Sequence, residues 1–99
     1  MSENICYISG AITGVNNYYN KFLEAEEKLK NKGFIVVNPA KMNAVNNLEW
    51  SDYILCSLLM MRRCTHIYQI VDWENSKGCN IEYEFAKGIN LIFVKESML

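Results

Sequence analysis

The chain has 99 residues, of which 51% are hydrophobic and one is proline, so the sequence excludes a disordered chain and predicts one domain spanning residues 1–99. Ten basic and eleven acidic residues give a net charge of −1, and Arg62 and Arg63 are the only arginines. This balance excludes the basic stripe that duplex nucleic acid requires. No hydrophobic run reaches membrane length, and the first residues lack a signal-peptide pattern. We therefore expect a cytoplasmic protein.

Soft metal ligands are few and widely separated along the chain. The single histidine is His66, and no C-x-x-C pair occurs among the four cysteines, Cys6, Cys56, Cys64 and Cys79. Zinc sites need closer ligand spacing, so we expect no metal site and no cofactor. We interpret the cysteines as buried, reduced, small apolar residues of a cytosolic protein.

The first half of the chain predicts a strand, a helix and a second strand. The apolar run Ile5–Ile8 ends at Ser9-Gly10 and is typical of a buried strand. Apolar residues then recur at helical spacing as far as Gly33, at Tyr18, Phe22, Ala25 and Leu29. The continuous apolar run Phe34–Val37 predicts a strand buried on both faces, which Asn38-Pro39 ends.

After a polar stretch over residues 41–48, the segment Trp50–Arg63 predicts a helix with an unusually broad apolar surface. Its stripe of Trp50, Ile54, Leu58 and Met61 is widened by Tyr53, Leu55, Leu59 and Met60. One sheet face cannot cover this surface, so the surplus predicts a homodimer or larger homo-oligomer. His66–Val71 predicts the third strand and Leu91–Val94 the last.

The segment Ser76–Gly88 predicts a short helix that carries a candidate acidic residue. Asn80 is the predicted N-cap and Gly88 the predicted C′ residue. Glu82 would then lie in the first turn, where the helix dipole favours an ionised carboxylate. An exposed first-turn acid that merely complements the dipole explains Glu82 equally well on this pattern.

The alternation of strands and helices predicts a flavodoxin-like α/β three-layer sandwich: a four-stranded parallel sheet in the order 2-1-3-4 with three main helices. The order of the strands reverses between the first and the third, where open sheets bind their ligands. Two loops converge there, residues 9–14 and residues 72–82. The first holds two glycines and two hydroxyls but lacks the ending of a Walker loop. It is compatible with an anion site and equally with a mere tight turn.

Several motifs extend over nearly the whole chain in one order. They are Tyr7-Ile8-Ser9-Gly10-Ala11-Ile12-Thr13-Gly14, Phe22, Ala25-Glu26, Leu29, Gly33, Val37 with Asn38-Pro39, Trp50 with Asp52-Tyr53, Cys64, Trp73-Glu74, Ser76, Gly78, Glu82, Ala86 and Gly88. On these motifs the chain resembles the nucleoside 2-deoxyribosyltransferase superfamily. It is most similar to a small branch of that superfamily that occurs in bacteriophages and bacteria.

The resemblance implies N-glycosidic bond cleavage or deoxyribosyl transfer on a nucleoside or nucleotide. The residue matching Glu82 is the family's nucleophile, and in some relatives the residue matching Tyr7 helps to orient it. Hydroxyls and amides matching Ser9, Thr13 and Ser76 hold a 5′-phosphate in some relatives. The residues that we expect to bind substrate are Ser9, Gly10, Ile12, Thr13, Gly14, Trp73, Ser76 and Gly78.

The chain also departs from the pattern of that superfamily. Ser57 and Thr65 stand where relatives usually carry aspartates, and the first-loop arginine of the monophosphate hydrolases is absent. Another acid must then protonate the departing base. We assign Asp72, with Glu74 and Asp52 as alternatives.

Two further interpretations stay open. The missing aspartates favour a non-catalytic module that binds a nucleotide, or that sequesters a nucleotide-derived signal for a phage. The broad apolar helix favours a structural subunit with a vestigial site. For the enzyme and for the binding module the expected small-molecule partner is a nucleoside or nucleotide, and we expect no duplex nucleic acid and no membrane as partners.

Overall fold

A computed structural model describes residues 3–12, 14–44 and 48–99 of the chain. Strands and helices alternate as β1 (Ile5–Ser9), α1 (Tyr18–Asn31), β2 (Ile35–Val37), α2 (Trp50–Met61), β3 (His66–Gln69), α3 (Lys77–Gly88) and β4 (Ile92–Val94). Short 3₁₀ segments lie at Pro39–Ala44, Trp73–Asn75 and Glu96–Met98. All strand pairs are parallel and the order is β2-β1-β3-β4, which confirms the predicted α/β architecture.

The central strand β1 pairs with β2 on one side and with β3 on the other. Tyr7 lies beside Val37 of β2 and beside Ile67 of β3. The chain therefore moves outward from β1 in one direction and then returns to extend the sheet in the other. This reversal places the carboxyl ends of β1 and β3 next to each other, which is where an open α/β sheet forms a crevice.

Alternating side chains of β1 supply two cores, one on each face of the sheet. Cys6 and Ile8 pack with Phe22 and Leu29 of α1. On the opposite face Tyr7 belongs to a second cluster, whose other buried members are Met61, Cys64, Ile67, Ala86 and Leu91. Phe22 and Leu29 are fully buried, and burying each such side chain contributes roughly 1.5–3 kcal/mol. This burial explains why α1 has the helical periodicity seen in the sequence.

Glu26 ties α1 to the segment that follows β2. The side chain is buried, and its carboxylate accepts from Asn38 Nδ2 at 2.9 Å and from Lys41 Nζ at 3.2 Å. Lys30 Nζ lies 2.8 Å away on the next turn of α1. Hydrogen bonding to Lys30 and Asn38 lowers the pKa of Glu26 to about 2. The same bonds fix the chain at Pro39, where the connection towards α2 begins.

The limits of α3 differ from those predicted. Ser76, not Asn80, is the N-cap, because its hydroxyl accepts the Cys79 N–H at 3.3 Å. Asn80 lies inside the helix and donates from its side chain to the Ser76 carbonyl at 2.8 Å. The prediction that Gly88 is the C′ residue was also wrong. Gly88 is helical, and Asn90 supplies the left-handed backbone with φ 63°.

The predicted second strand was too long and too buried. β2 begins at Ile35, whose side chain is 47% exposed. Its position at the edge of the sheet explains the difference, since an edge strand has a neighbour on one side only. The predicted third strand was also too long, because β3 ends at Gln69 and Val71 lies in an exposed turn.

Helix α2 carries apolar side chains outward. Leu55 is 66% exposed and Leu59 is 59% exposed, one turn apart on the same face. Cys56 between them is exposed as well, so the prediction of four buried cysteines was wrong at this position. The helix ends at Met61, two residues short of the predicted Arg63. Within the described residues, no helix combines the length and the apolar character needed to cross a bilayer.

Candidate functional site

Glu82 of α3 is held against β1 by two hydroxyl groups. The Tyr7 hydroxyl donates to Glu82 Oε2 at 2.8 Å, and the Ser9 hydroxyl donates to Glu82 Oε1 at 2.7 Å. Tyr7 and Ser9 are two residues apart on one strand, so both side chains lie on the same face. Glu82 is 6% exposed. Its position in the second turn of α3, not the first, brings the carboxylate over the sheet.

Burial and hydrogen bonding act in opposite directions on the charge of Glu82. Burial raises the pKa of Glu82 above its ordinary value, and hydrogen bonds from Ser9, Tyr7 and Ser57 oppose this increase. Burial and the neighbouring Glu82 charge raise the pKa of Tyr7 well above its ordinary value. Tyr7 therefore stays a protonated donor at neutral pH, and the carboxylate keeps its hydrogen bonds when it ionises.

A cavity of about 180 Å³ opens over Glu82. Its walls come from β1 and the loop after it, from Pro39 after β2, from α2 and from the first two turns of α3. The lining residues are Tyr7, Gly10, Ile12, Pro39, Trp50, Tyr53, Ile54, Ser57, Ser76, Gly78, Cys79 and Glu82. The carboxylate and hydroxyls lie together, and aromatic and aliphatic side chains form much of the remaining wall. Such a mixture is typical of small-molecule sites.

Two glycines allow the walls to approach this closely. A Cβ atom on Gly10 would lie 2.9 Å from Ile70 Cδ1 and 3.0 Å from Phe22 Cζ, so the loop after β1 rests on the core. A Cβ atom on Gly78 would lie 2.9 Å from Ile54 Cδ1, so α3 begins in contact with α2. These close approaches explain why glycine occupies both positions, independently of any ligand.

The structure brings together most of the residues predicted for the site. Tyr7, Gly10, Ile12, Ser76, Gly78 and Glu82 line the cavity, and Ser9 is buried beneath it. Gly14 lies in an exposed turn with φ 78° and is not part of the lining. Thr13 lies outside the described residues.

Asp72 and Trp73 lie elsewhere. Both line a second cavity of about 580 Å³, between α1 and the turn after β3. Asp72 adopts a left-handed backbone with φ 72°, which turns the chain away from the end of β3. The Trp73 ring stacks on Tyr83, with centroids 4.9 Å apart. The structure thus separates these two residues from the lining of the Glu82 cavity.

The wall supplied by α2 was not predicted as part of the site. Trp50, Ile54 and Ser57 follow one another at helical spacing and face Glu82 across the cavity. Sequence periodicity assigned this stripe to packing against the sheet, since a cavity wall and a core face have the same apolar spacing. Ser57 was recognised only as a departure from an expected aspartate. Ser57 acts to lower the pKa of both Tyr7 and Glu82, which burial raises, so it lies beside the same network.

Charged groups are scarce around the cavity. Among the described residues that line it, Glu82 is the only acid, and none is lysine, arginine or histidine. Lys77 lies at the rim, with its Nζ 5.0 Å from the centroid of the Trp50 ring. In residues 3–12, 14–44 and 48–99, no three histidine, cysteine or acidic side chains are grouped to hold a metal ion.

Residues 4–95 match the model of a family described as a domain of unknown function, DUF4406. The chain belongs to the DUF4406 family. The match runs from before β1 to after β4, so it includes every residue that lines the cavity over Glu82. No curated protein matches the chain. The family's description names no activity, so the residues of the cavity over Glu82 are the guide to its chemistry.

Proposed function

We propose that this DUF4406 protein cleaves the N-glycosidic bond of a nucleoside or nucleotide, or transfers the ribosyl or deoxyribosyl group, with Glu82 as nucleophile. The observation that carries the proposal is the placement of one buried carboxylate, fixed by two hydroxyl donors, at the wall of a cavity. Carboxylates act in this way on glycosidic bonds because the transition state resembles an oxocarbenium ion.

The reaction proceeds in two steps. One Glu82 oxygen forms a bond to the anomeric carbon while the bond from that carbon to the base nitrogen breaks, and the electron pair leaves with the base. Water or a second base then attacks the same carbon and releases Glu82. Hydrolysis and transfer differ only in this second nucleophile.

Tyr7 and Ser9 are positioning residues in this mechanism. Each binds a different oxygen of Glu82, so the carboxylate cannot rotate freely about its terminal bond. A fixed nucleophile lowers the entropic part of the barrier. The hydroxyl donors also favour the ionised carboxylate, which burial disfavours. Trp50 and Tyr53 offer aromatic walls for a base.

The size of the cavity supports a small substrate. About 180 Å³ is less than the roughly 300–1,000 Å³ of a pocket for a drug-sized ligand. A sugar and its glycosidic nitrogen suit this volume, and the rest of the molecule would extend past the rim. The first turn of α3 borders the cavity at Ser76 and Gly78, and helix N-termini attract phosphate groups. This arrangement supports nucleosides and their monophosphates alike as substrates.

We also propose that the reaction takes place in the cytoplasm.

The experiment is an assay for free base by chromatography. Purified protein is incubated with ribo- and deoxynucleosides that have neutral and cationic bases, and with their monophosphates. The matched variants are Glu82→Gln and Glu84→Gln, since Glu84 lies on the same helix with its side chain 70% exposed. We expect base release by the wild type and by Glu84→Gln, and none by Glu82→Gln. Release that survives in Glu82→Gln would remove Glu82 as nucleophile. Tight binding of a ligand that is recovered intact would favour the non-catalytic binding module instead.

We further propose that a second copy of the chain covers the outer face of α2. Leu55 and Leu59 lie one turn apart and expose most of their surface to solvent. A two-fold symmetric contact would bury both patches at once. Light scattering should give twice the monomer mass at micromolar concentration and the monomer mass for the double variant Leu55→Glu with Leu59→Glu. A monomeric wild type would refute this assembly.

A further inference from the structure

Among the described residues that line the cavity over Glu82, there is a nucleophile but no good proton donor. Among its described lining residues Glu82 is the only acid, and the other hydrogen-bonding side chains are hydroxyls, one indole and one thiol. The Tyr7 hydroxyl is already bonded to Glu82, and the pKa of Tyr7 lies well above its ordinary value. Burial likewise raises the pKa of the Cys79 thiol. A general acid works best with a pKa near the working pH, which neither group has.

The acids considered from the sequence lie elsewhere. Asp72 and Glu74 line the second cavity, on the side of α1. Asp52 caps α2, where its carboxylate accepts the backbone N–H of Glu49 at 2.9 Å. None of the three is among the residues that line the Glu82 cavity. A neutral purine or pyrimidine leaves as an anion unless it is protonated, so this site is poorly equipped to expel one.

We propose that the preferred substrates are N-glycosides whose base already carries a positive charge, such as pyridinium ribosides and N7-alkylpurine nucleosides. The proposal rests on the proposed function and narrows its substrate class. In the first step Glu82 bonds to the anomeric carbon, and the electron pair of the broken carbon–nitrogen bond neutralises the base, which departs without a proton. Water then attacks the anomeric carbon, frees Glu82 and releases one proton to solvent.

The electrostatics of the cavity favour such a ligand. Glu82 is the one ionisable carboxyl group of the described lining, and a cation in the cavity would attract its charged form. The rings of Tyr7, Trp50 and Tyr53 also line the cavity, and aromatic faces attract cations. Lys77 already lies over the Trp50 ring, and its charge at the rim opposes a second cation on that same face. The positively charged glycosidic nitrogen therefore lies in the inner part of the cavity, near Glu82, and the rest of the base extends towards the rim.

The test uses pairs of nucleosides that differ in charge with little change in shape. 7-Methylguanosine is compared with guanosine, and nicotinamide riboside with its neutral 1,4-dihydro form. The quantity compared is kcat/KM for base release, calculated from wild-type rates after the rate measured with Glu82→Gln is subtracted. We expect the cationic member to react faster by about a hundredfold or more, since general acid catalysis contributes typically 10²–10⁴-fold and would be missing for the neutral one. Equal rates would overturn the preference and leave Glu82 as nucleophile. Release from no member of either pair would overturn both proposals.

A binding measurement separates recognition from the greater reactivity of cationic nucleosides. Calorimetric titration compares N1-methylnicotinamide, a cation, with neutral nicotinamide, neither of which has a glycosidic bond. We expect the cation to bind more tightly to the wild type and to Glu84→Gln, and to lose this advantage in Glu82→Gln. The same affinity for both compounds in the wild type would refute the electrostatic part of the inference.

Discussion

Replacing Glu82 by glutamine should change how the stability of the protein depends on pH. Burial raises the pKa of folded Glu82 above the ordinary value of 4.5. Below that value the residue is protonated in both the folded and the unfolded chain. Above it the unfolded chain ionises while the folded chain still holds its proton, so the wild type loses stability as the pH rises through the folded pKa.

The size of the effect follows from the linkage relation. One group can change the free energy of unfolding by at most about 1.36 kcal/mol per pH unit between its two pKa values. Glutamine has nearly the shape of a protonated glutamate. We therefore expect Glu82→Gln to lie closest to the wild type in acid and to become the more stable protein towards neutral pH.

Urea denaturation followed by tryptophan fluorescence measures this difference at a series of pH values. Glu84→Gln is the control, because the Glu84 side chain is exposed and its ion pair with Lys87 lies at the surface. We expect its curve to stay parallel to the wild type. A constant difference between Glu82→Gln and the wild type from acid to neutral pH would refute the idea that Glu82 is buried with a raised pKa. So would a wild type that gains stability relative to this variant as the pH rises.

Four other substitutions probe the site and the packing around it. Tyr7→Phe removes one hydrogen bond to the Glu82 carboxylate, and such a bond contributes roughly 1.5–3 kcal/mol. We therefore expect kcat/KM to fall by about 10- to 100-fold while the protein stays folded. Unchanged kinetics would contradict the positioning role of Tyr7. Glu26→Gln should lower the free energy of unfolding by about 1–2 kcal/mol at neutral pH, a modest loss because the lysine partners of Glu26 are half-exposed. The loss should shrink as the pH falls from 4.5 towards about 2, where folded Glu26 takes up its proton. A loss of the same size in acid would contradict its ionic origin. Gly10→Ala should destabilise by about 1–3 kcal/mol through contact with the core. Gly88→Ala, with open space around its Cβ, should stabilise the protein by about 0.5–1 kcal/mol in the same denaturation assay. Equal effects of Gly10→Ala and Gly88→Ala would contradict the difference in packing at the two glycines.

The sheet could be predicted from the sequence because each strand is a short apolar run and each helix has a clear period. The alternation of the two leaves few right-handed topologies, and the observed order β2-β1-β3-β4 is one of them. The start of α3 could not be fixed in the same way. Ser76 and Asn80 are both good N-caps, and only the folded structure shows that the Ser76 hydroxyl accepts the Cys79 N–H and that Gly78 packs against Ile54.

The candidate site was predictable where it depends on the ends of strands and not where it depends on helix packing. Tyr7, Ser9 and Glu82 were named from the sequence, and the structure joins them by hydrogen bonds. The wall from α2 was missed because its apolar stripe has the spacing of any buried face. Asp72 was placed near the site because it follows β3, but its left-handed backbone turns it away.

The identity of the nucleophile can be tested by mass spectrometry. A nucleoside with fluorine at C2′ slows both steps, because fluorine destabilises the oxocarbenium-like transition state, and the covalent intermediate then accumulates. We predict a mass increase of one fluorinated sugar on the peptide that carries Glu82, present in the wild type and in Glu84→Gln and absent in Glu82→Gln. Base release by the wild type without such an adduct, or an adduct that persists in Glu82→Gln, would contradict the assignment of Glu82 as nucleophile.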